Sequence, residues 1–437
     1  MVRVFYRRVE STGTERVPPS GPLVVCANHA SALADAVLLQ ALSPRPLHPL
    51  ARAGLFDNPL LRPALAVQGA VPIHRPQDQG SDPSRNAASF ERCFALLGTG
   101  EALLVFPEGQ SHSDPRLRPL RTGAARIALG AAERGQATPL LVPVGLTFTE
   151  KGRFRSKVLV QFGPPLEPRR QPGEDPDAAV RRLTAEVQAA LAALTLNVDS
   201  IEDLELVERL QRFFALRRGR HELRSSLAHR FRALQRLIAA HRRLRQAAPE
   251  RVHGLVQRLG RFERLCRRYG VKDYQLDVHY TPGVVVRFTV RSLLFLAVVF
   301  PLALWGTLNS ALPFLLTRHL SRRLSHGIDQ YDSAKMLLGL GFFSLFWGAQ
   351  SAAVWLLRGT EAALVYAASI AATAMVALAV RHERQRIWEN ARAFLLFFFR
   401  RRRELHRYLL ARREEIEREL AQLARVARRG AATSPAC

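Results

Sequence analysis

Cysteine is scarce in this chain: four among 437 residues, at positions 26, 93, 266 and 437. They are scattered, and no C-x-x-C pair occurs, which excludes a secreted disulfide framework. Cys26 lies in an apolar, strand-like run and reads as a small core residue. Lysine is rarer than the basic content suggests, because only Lys151, Lys157, Lys272 and Lys335 stand among 64 basic residues. The opening MVRVFYRRVE is charged and has no apolar run behind it, so no cleavable signal is expected and the front of the chain should stay cytosolic. No internal repeat is evident. Acidic residues are also few, 37 in all, giving a net charge of +27. Hydrophobic residues at 48% exclude disorder as a description of the whole chain, and its length allows two or three domains with cores of their own.

The basic excess is not spread evenly. Residues 1–208 carry 23 basic and 22 acidic groups, 209–268 carry 18 and 3, 269–380 carry 8 and 5, and 381–430 carry 15 and 7. Two late blocks therefore hold most of the charge and bracket three uncharged apolar runs, 292–317, 336–357 and 362–380. Each run approaches or exceeds the ~20 residues needed to cross a bilayer. Basic blocks flanking apolar spans point to a membrane protein held against anionic lipid, and no nucleic-acid partner is expected. Because both basic blocks should lie on the same side, and because 292–317 is interrupted by Pro301, Gly306, Asn309 and Pro313, that run is expected to be re-entrant, with Asn309 and Ser310 near its tip. A spanning helix is the alternative. The runs 336–357 and 362–380 then form a hairpin.

The expected organisation is an α/β domain over 1–195, a basic amphipathic helical region over 196–290 broken near Gly219 and Pro249, a membrane-embedded segment over 291–380, and a basic cytosolic tail helix over 381–437. The helical region reads equally well as a membrane-surface segment or as a solvated hairpin. In the first domain, strand-like runs at 22–27, 46–53, 69–73, 101–107, 139–146 and 157–162 alternate with helix-length segments, which predicts a mixed sheet covered by helices. Two stretches within it carry chemistry. In the first, the run PLVVCA ends in Asn28-His29, and Asp35 opens the next helix; a histidine paired with a carboxylate is what a general base requires. In the second, a strand runs into Phe106-Pro107-Glu108-Gly109, and a loop with Arg116, Arg118 and Arg121 enters a helix at Thr122-Gly123, a combination suited to phosphate. No Ser or Cys sits in a nucleophile-elbow pattern.

Taken together, Asn28-His29 with Asp35, GAVPIHR (69–75), FPEGQSH (106–112) and VPVGL (142–146) resemble the four ordered sequence blocks of the glycerolipid acyltransferase superfamily. Most of that family has four residues between His and Asp, whereas here Ala30 to Ala34 make five. The branch containing the yeast-type glycerol-3-phosphate/dihydroxyacetone-phosphate acyltransferases has five as well, and YGVKDYQLDV and YDSAKMLLGL resemble that branch too. The resemblance implies His29 as general base, Asp35 as its partner, Arg75 on the acceptor phosphate, and Glu108-Gly109 in acceptor binding. Asn28, Phe106, Pro107 and Arg121 complete the expected substrate site. Ser111, His112 and His74 are weaker candidates. It also implies an acyl group moving from an acyl thioester, acyl-CoA or acyl-carrier protein, to glycerol 3-phosphate or dihydroxyacetone phosphate. No other cofactor and no metal are expected. A lysophospholipid acceptor is the same-class alternative, and a non-catalytic lipid-binding protein that retains the fold is the alternative of another class.

Overall fold

The computed structural model describes residues 2–59, 61–74, 86–135, 138–217, 226–271, 276, 282–325, 327–398 and 403–432. Arg75, Gly219 and most of YGVKDYQLDV lie outside them. The chain divides into two compact units, Met1–Leu204 with Ser225–Gln235 and Ser321–Met336, and Glu205–Arg224 with Arg236–Leu320 and Leu337–Cys437.

The first unit is built on a seven-stranded sheet: β1 (Arg8–Thr12), β2 (Leu23–Ala27), β3 (His48–Arg52), β4 (Val71–Ile73), β5 (Ala102–Val105), β6 (Leu140–Phe148) and β7 (Lys157–Phe162). Their spatial order is β1-β7-β6-β2-β5-β3-β4. Only the β6–β7 pair is antiparallel, so the sheet is mixed, as the alternation of runs predicts. The central strand β2 has no exposed residue, because alternate side chains enter two different cores. Leu23, Val25 and Ala27 pack with α2 (Leu33–Leu42), while Val24 and Cys26 pack with α4 (Asn86–Gly98), α5 (Gly123–Glu133) and α6 (Pro176–Ala193). Burial pushes the Cys26 thiol up to about 12, in keeping with a core residue. The glycine of VPVGL has a structural reason: a Cβ on Gly145 would stand 2.1 Å from the Leu194 carbonyl oxygen, so only glycine lets the end of α6 lie on β6.

Two features of this unit depart from the sequence expectation. β1 is an added edge strand, parallel to β7; its RVEST sequence carries one aliphatic residue and no apolar alternation to betray it. The unit also reaches beyond residue 195. Glu10 on β1 accepts hydrogen bonds from Leu227 N at 2.8 Å, Ala228 N at 3.1 Å and the Ser226 hydroxyl, and so caps α8 (Leu227–Ala247). Burial alone would raise the Glu10 carboxyl, but these bonds and the Arg8 guanidinium outweigh it and hold the group below the ordinary glutamate value. A depressed carboxyl contributes stability that is present above its unfolded value and is lost as pH falls through its folded value. Hydrogen exchange at Leu227 and Ala228, corrected for intrinsic rate, should therefore accelerate on acidification through that range, and Glu10→Gln should abolish the step.

In the second unit, Pro249 starts α9 (Pro249–Tyr269) at its first position, where its missing N–H costs nothing. The apolar face of α9 is covered by the tail helix α13 (Arg403–Ala432): Leu255, Leu259, Phe262 and Cys266 pack with Leu409, Ile416, Leu420 and Leu423. Arg258 and Glu419 pair at the margin. That face of the basic region is thus buried against the tail.

Among the described residues, three helices are long and apolar enough to cross a membrane, over Leu293–Leu324, Ile328–Arg358 and Thr360–Val380. They belong to α10 (Pro282–Leu324), α11 (Ile328–Arg358) and α12 (Thr360–Phe398). α11 and α12 cover the two runs expected to form a hairpin and are separated at Gly359. The first run is not re-entrant, since α10 continues through Pro301 and Pro313 without reversing at Asn309. Pro313 has no N–H for the Asn309 carbonyl, and that carbonyl instead accepts Gln350 Nε2 at 3.2 Å, while Asn309 Oδ1 accepts the Tyr366 hydroxyl at 2.7 Å. Asn309 joins three helices where a hairpin tip was expected.

Candidate active site

Parallel pairing of β2 with β5 sets Cys26 opposite Val105. His29 and Glu108 each follow that pair by three residues, so the loops leaving the two strands meet at the same carboxyl edge of the sheet, where open α/β sheets bind ligands. Asn28 fixes the first loop: its amide donates to the Leu146 carbonyl at 3.2 Å and accepts the Leu146 N–H at 2.7 Å. These bonds clamp the end of β2 to β6 and occupy the side chain.

His29 Nδ1 lies 3.0 Å from Asp35 Oδ2, which also accepts the Ser31 N–H at 2.7 Å. Against an accepting oxygen the ring proton belongs on Nδ1, leaving the Nε2 lone pair for chemistry. Asp35 is fully buried and His29 is 18% exposed. The Phe106 ring stacks on the imidazole at 4.1 Å between centroids, an apolar plate that fixes the ring plane.

Glu108 is 4% exposed. Its Oε1 accepts His29 N–H at 2.7 Å; its Oε2 accepts Arg118 N–H at 2.9 Å and faces His112 Nε2 in a short contact. His112 Nδ1 accepts the Asp114 N–H at 3.2 Å, which puts that ring's proton on Nε2 as the donor to Glu108. His112 N–H in turn donates to the His29 carbonyl at 3.1 Å. The carboxylate is therefore a strut between the His29 loop and the 108–118 loop, and both of its oxygens are engaged by protein donors.

Gly109 turns with φ +77°, and the Arg121 guanidinium passes over it at a distance a Cβ would occupy. Arg121 N–H donates to the Pro107 carbonyl at 2.8 Å, so Pro107 anchors the approach to α5 while the exposed Arg121 side chain remains beside the turn. Upstream, Asn86 holds the His74 backbone by two bonds, 2.9 and 2.7 Å, and fixes the last described residue before Arg75. Among the described residues no cluster of His, Cys, Asp or Glu has metal-binding geometry.

Sequence reading missed Lys151. Its ammonium donates to the His112 carbonyl at 3.3 Å. Burial draws it below the ordinary lysine value, against the opposing pull of Asp35, Glu108, Asp329 and Asp114. A cation is thus held against the loop that carries Glu108 and His112. It belongs to no motif; the available signal was that a chain so biased to arginine keeps a lysine here.

Among the described residues, the His29–Asp35 pair leaves Nε2 able to accept a proton, at the carboxyl edge of a mixed sheet and beside a helix start flanked by arginine. Residues 8–147 match the family model described as Acyltransferase. The chain is 24% identical over 283 residues to glycerol-3-phosphate O-acyltransferase 1 of Saccharomyces cerevisiae, covering 59% of this chain and 36% of that one. It is 33% identical over 125 residues to a chloroplastic 1-acyl-sn-glycerol-3-phosphate acyltransferase of Brassica napus, covering 28% and 34%. A solved structure, the 1-acyl-sn-glycerophosphate acyltransferase PlsC of Thermotoga maritima, aligns at 21% identity and a TM-score of 0.33 over 43% of this chain and 71% of that one. The α/β domain is thus similar in sequence to glycerolipid acyltransferases. The chain spans about a third of the length of the two curated relatives named.

Proposed function

We propose that the protein is a membrane-bound O-acyltransferase that moves a fatty acyl group from an acyl thioester to a hydroxyl of glycerol 3-phosphate or dihydroxyacetone phosphate. The observation that carries the reading is the His29–Asp35 pair with its free Nε2. In the reaction, Nε2 takes the proton of the acceptor hydroxyl as its oxygen attacks the thioester carbonyl. The tetrahedral intermediate collapses by breaking the C–S bond, and the thiolate leaves and recovers the proton from the imidazolium. A thiol of pKa roughly 8–9 is a good enough leaving group that the step balances with the two substrates alone. Asp35 stabilises the imidazolium and fixes its tautomer. Arg75 and Arg121, with the start of α5, are the proposed phosphate contacts. Asn28, Pro107, Glu108 and Gly109 serve by holding the loops that present them, and Phe106 by holding the ring of the base.

The catalytic domain is proposed to face the cytosol. The acceptor is argued from the five-residue His-Asp spacing and the likeness to a yeast relative named for glycerol 3-phosphate. The test offers detergent-solubilised protein a labelled acyl-CoA or acyl-carrier protein with glycerol 3-phosphate, dihydroxyacetone phosphate or lysophosphatidate in parallel. Turnover is expected on one of the first two. Exclusive use of lysophosphatidate would move the assignment to the second acylation step, and no turnover on any phosphorylated acceptor would sink the reading.

A further inference from the structure

The loop that joins His29 to Asp35 has turn bonds of its own, from Ala34 N–H to the Ser31 carbonyl at 3.0 Å and from Asp35 N–H to the Ala32 carbonyl at 3.2 Å, but they leave a strained residue between them. Ala32 stands at φ +45°, ψ −128°, a conformation that a residue with a Cβ rarely adopts, at the N-cap of α2, where its own side chain cannot cap the helix. A second set of contacts, from about 300 residues along the chain, braces it there. The Ser333 hydroxyl donates to the Ser31 carbonyl at 3.0 Å and accepts the Ala34 N–H at 3.0 Å, closing the turn across Ala32 from outside. Ser31 and Ala34 are buried, and Ser333 is 8% exposed.

The same two turns of α11 grip the other loops of the site. Asp329 accepts the Ser111 hydroxyl, in the loop that carries Glu108 and His112. Asp332 accepts the Gly152 N–H at 3.1 Å, and Lys335 donates to the Gly152 carbonyl, beside Lys151. Tyr331 lies against Gly152, and Met336 enters the core that α2 shares with β2. Four polar side chains spaced along one short helical segment thus bind three active-site loops within a single compact unit.

We propose that Ser333 is a positioning residue of the His29–Asp35 dyad: its hydroxyl fixes the five-residue loop that sets the imidazole against the carboxylate. The role of the dyad rests on the function proposed above; the clamp itself does not. A side chain that sets the geometry of a general base without touching substrate acts on kcat more than on KM.

The experiment compares wild type, Ser333→Ala, Ser333→Thr and His29→Ala in the full detergent-solubilised chain, by acyl transfer to glycerol 3-phosphate, dihydroxyacetone phosphate and lysophosphatidate and by deuterium uptake of the peptide spanning Ser31–Asp35. Ser333→Ala should lower kcat about 10- to 100-fold with KM within about threefold, raise uptake in that peptide, and leave the unfolding temperature near wild type. Ser333→Thr, which keeps the hydroxyl, should recover most of both readouts. Unchanged uptake in Ser333→Ala overturns the clamp whether or not the protein turns over. A rise in KM that accounts for the whole loss, or equal impairment of the Thr and Ala variants, overturns the positioning role. If uptake responds as expected but wild type and His29→Ala are equally inactive on every acceptor, the clamp stands and the proposed reaction fails.

Discussion

His29→Ala should lower kcat for acyl transfer by about 10²- to 10⁴-fold, the range for removing a positioned general base. The loss should fall on the chemical step. The imidazole makes one side-chain hydrogen bond, to Asp35, whereas the backbone that places it is held by Glu108 and His112 through its N–H and carbonyl, which alanine retains. KM for the phosphorylated acceptor should therefore move little, and single-turnover kinetics with labelled acyl-CoA should locate the defect after binding. Asp35→Asn provides the matching test. An amide turned to donate toward Nδ1 would favour the tautomer with its proton on Nε2, and the lone pair that accepts the hydroxyl proton would be gone. A comparable fall in kcat is expected from that single exchange. Activity within a few-fold of wild type in His29→Ala would remove the imidazole from the mechanism.

The pair was legible because its two members lie six residues apart, one at the end of an apolar run and one in the first turn of a helix. Glu108 was legible as a motif residue but not as a strut, because His29 reaches it only through the parallel register of β2 and β5, while His112 and Arg118 reach it through the folding of its own loop. The Asp329–Lys335 segment could not be read as part of the site. Its four polar residues open an apolar helix some 300 positions away, where helix-capping charge is the ordinary explanation. β1 escaped because an edge strand of polar residues has no periodic apolar face. The expected reversal at Asn309 rested on two prolines and an asparagine in an apolar run. The sequence could not reveal Gln350 and Tyr366 on neighbouring helices, which satisfy the groups those residues leave open.

Glu108→Gln should cost about 2–4 kcal/mol of stability and most of the activity together, by the size of charge-assisted hydrogen bonds lost and donors left unpaired. Three donors converge on the carboxylate, and glutamine offers one oxygen. If that oxygen takes the His29 N–H, the amide nitrogen confronts both Arg118 N–H and His112 Nε2–H. His112 cannot relieve this by moving its proton, because a proton on Nδ1 would then face the Asp114 N–H, now 3.2 Å away. If the oxygen turns instead toward Arg118 and His112, the clash passes to His29 itself and shifts the base from Asp35. Either way the near-isosteric change leaves buried donors opposed, so the unfolding temperature of the full chain should fall by about 5–15 °C for a unit of this size. His112→Phe removes one of the opposed donors, and added to Glu108→Gln it should restore part of the lost stability, a coupling that thermal unfolding of the double variant measures. A Glu108→Gln protein that melts like wild type yet has lost acyl transfer would instead mean that the carboxylate acts on the acceptor directly, and would return Glu108 from strut to substrate ligand.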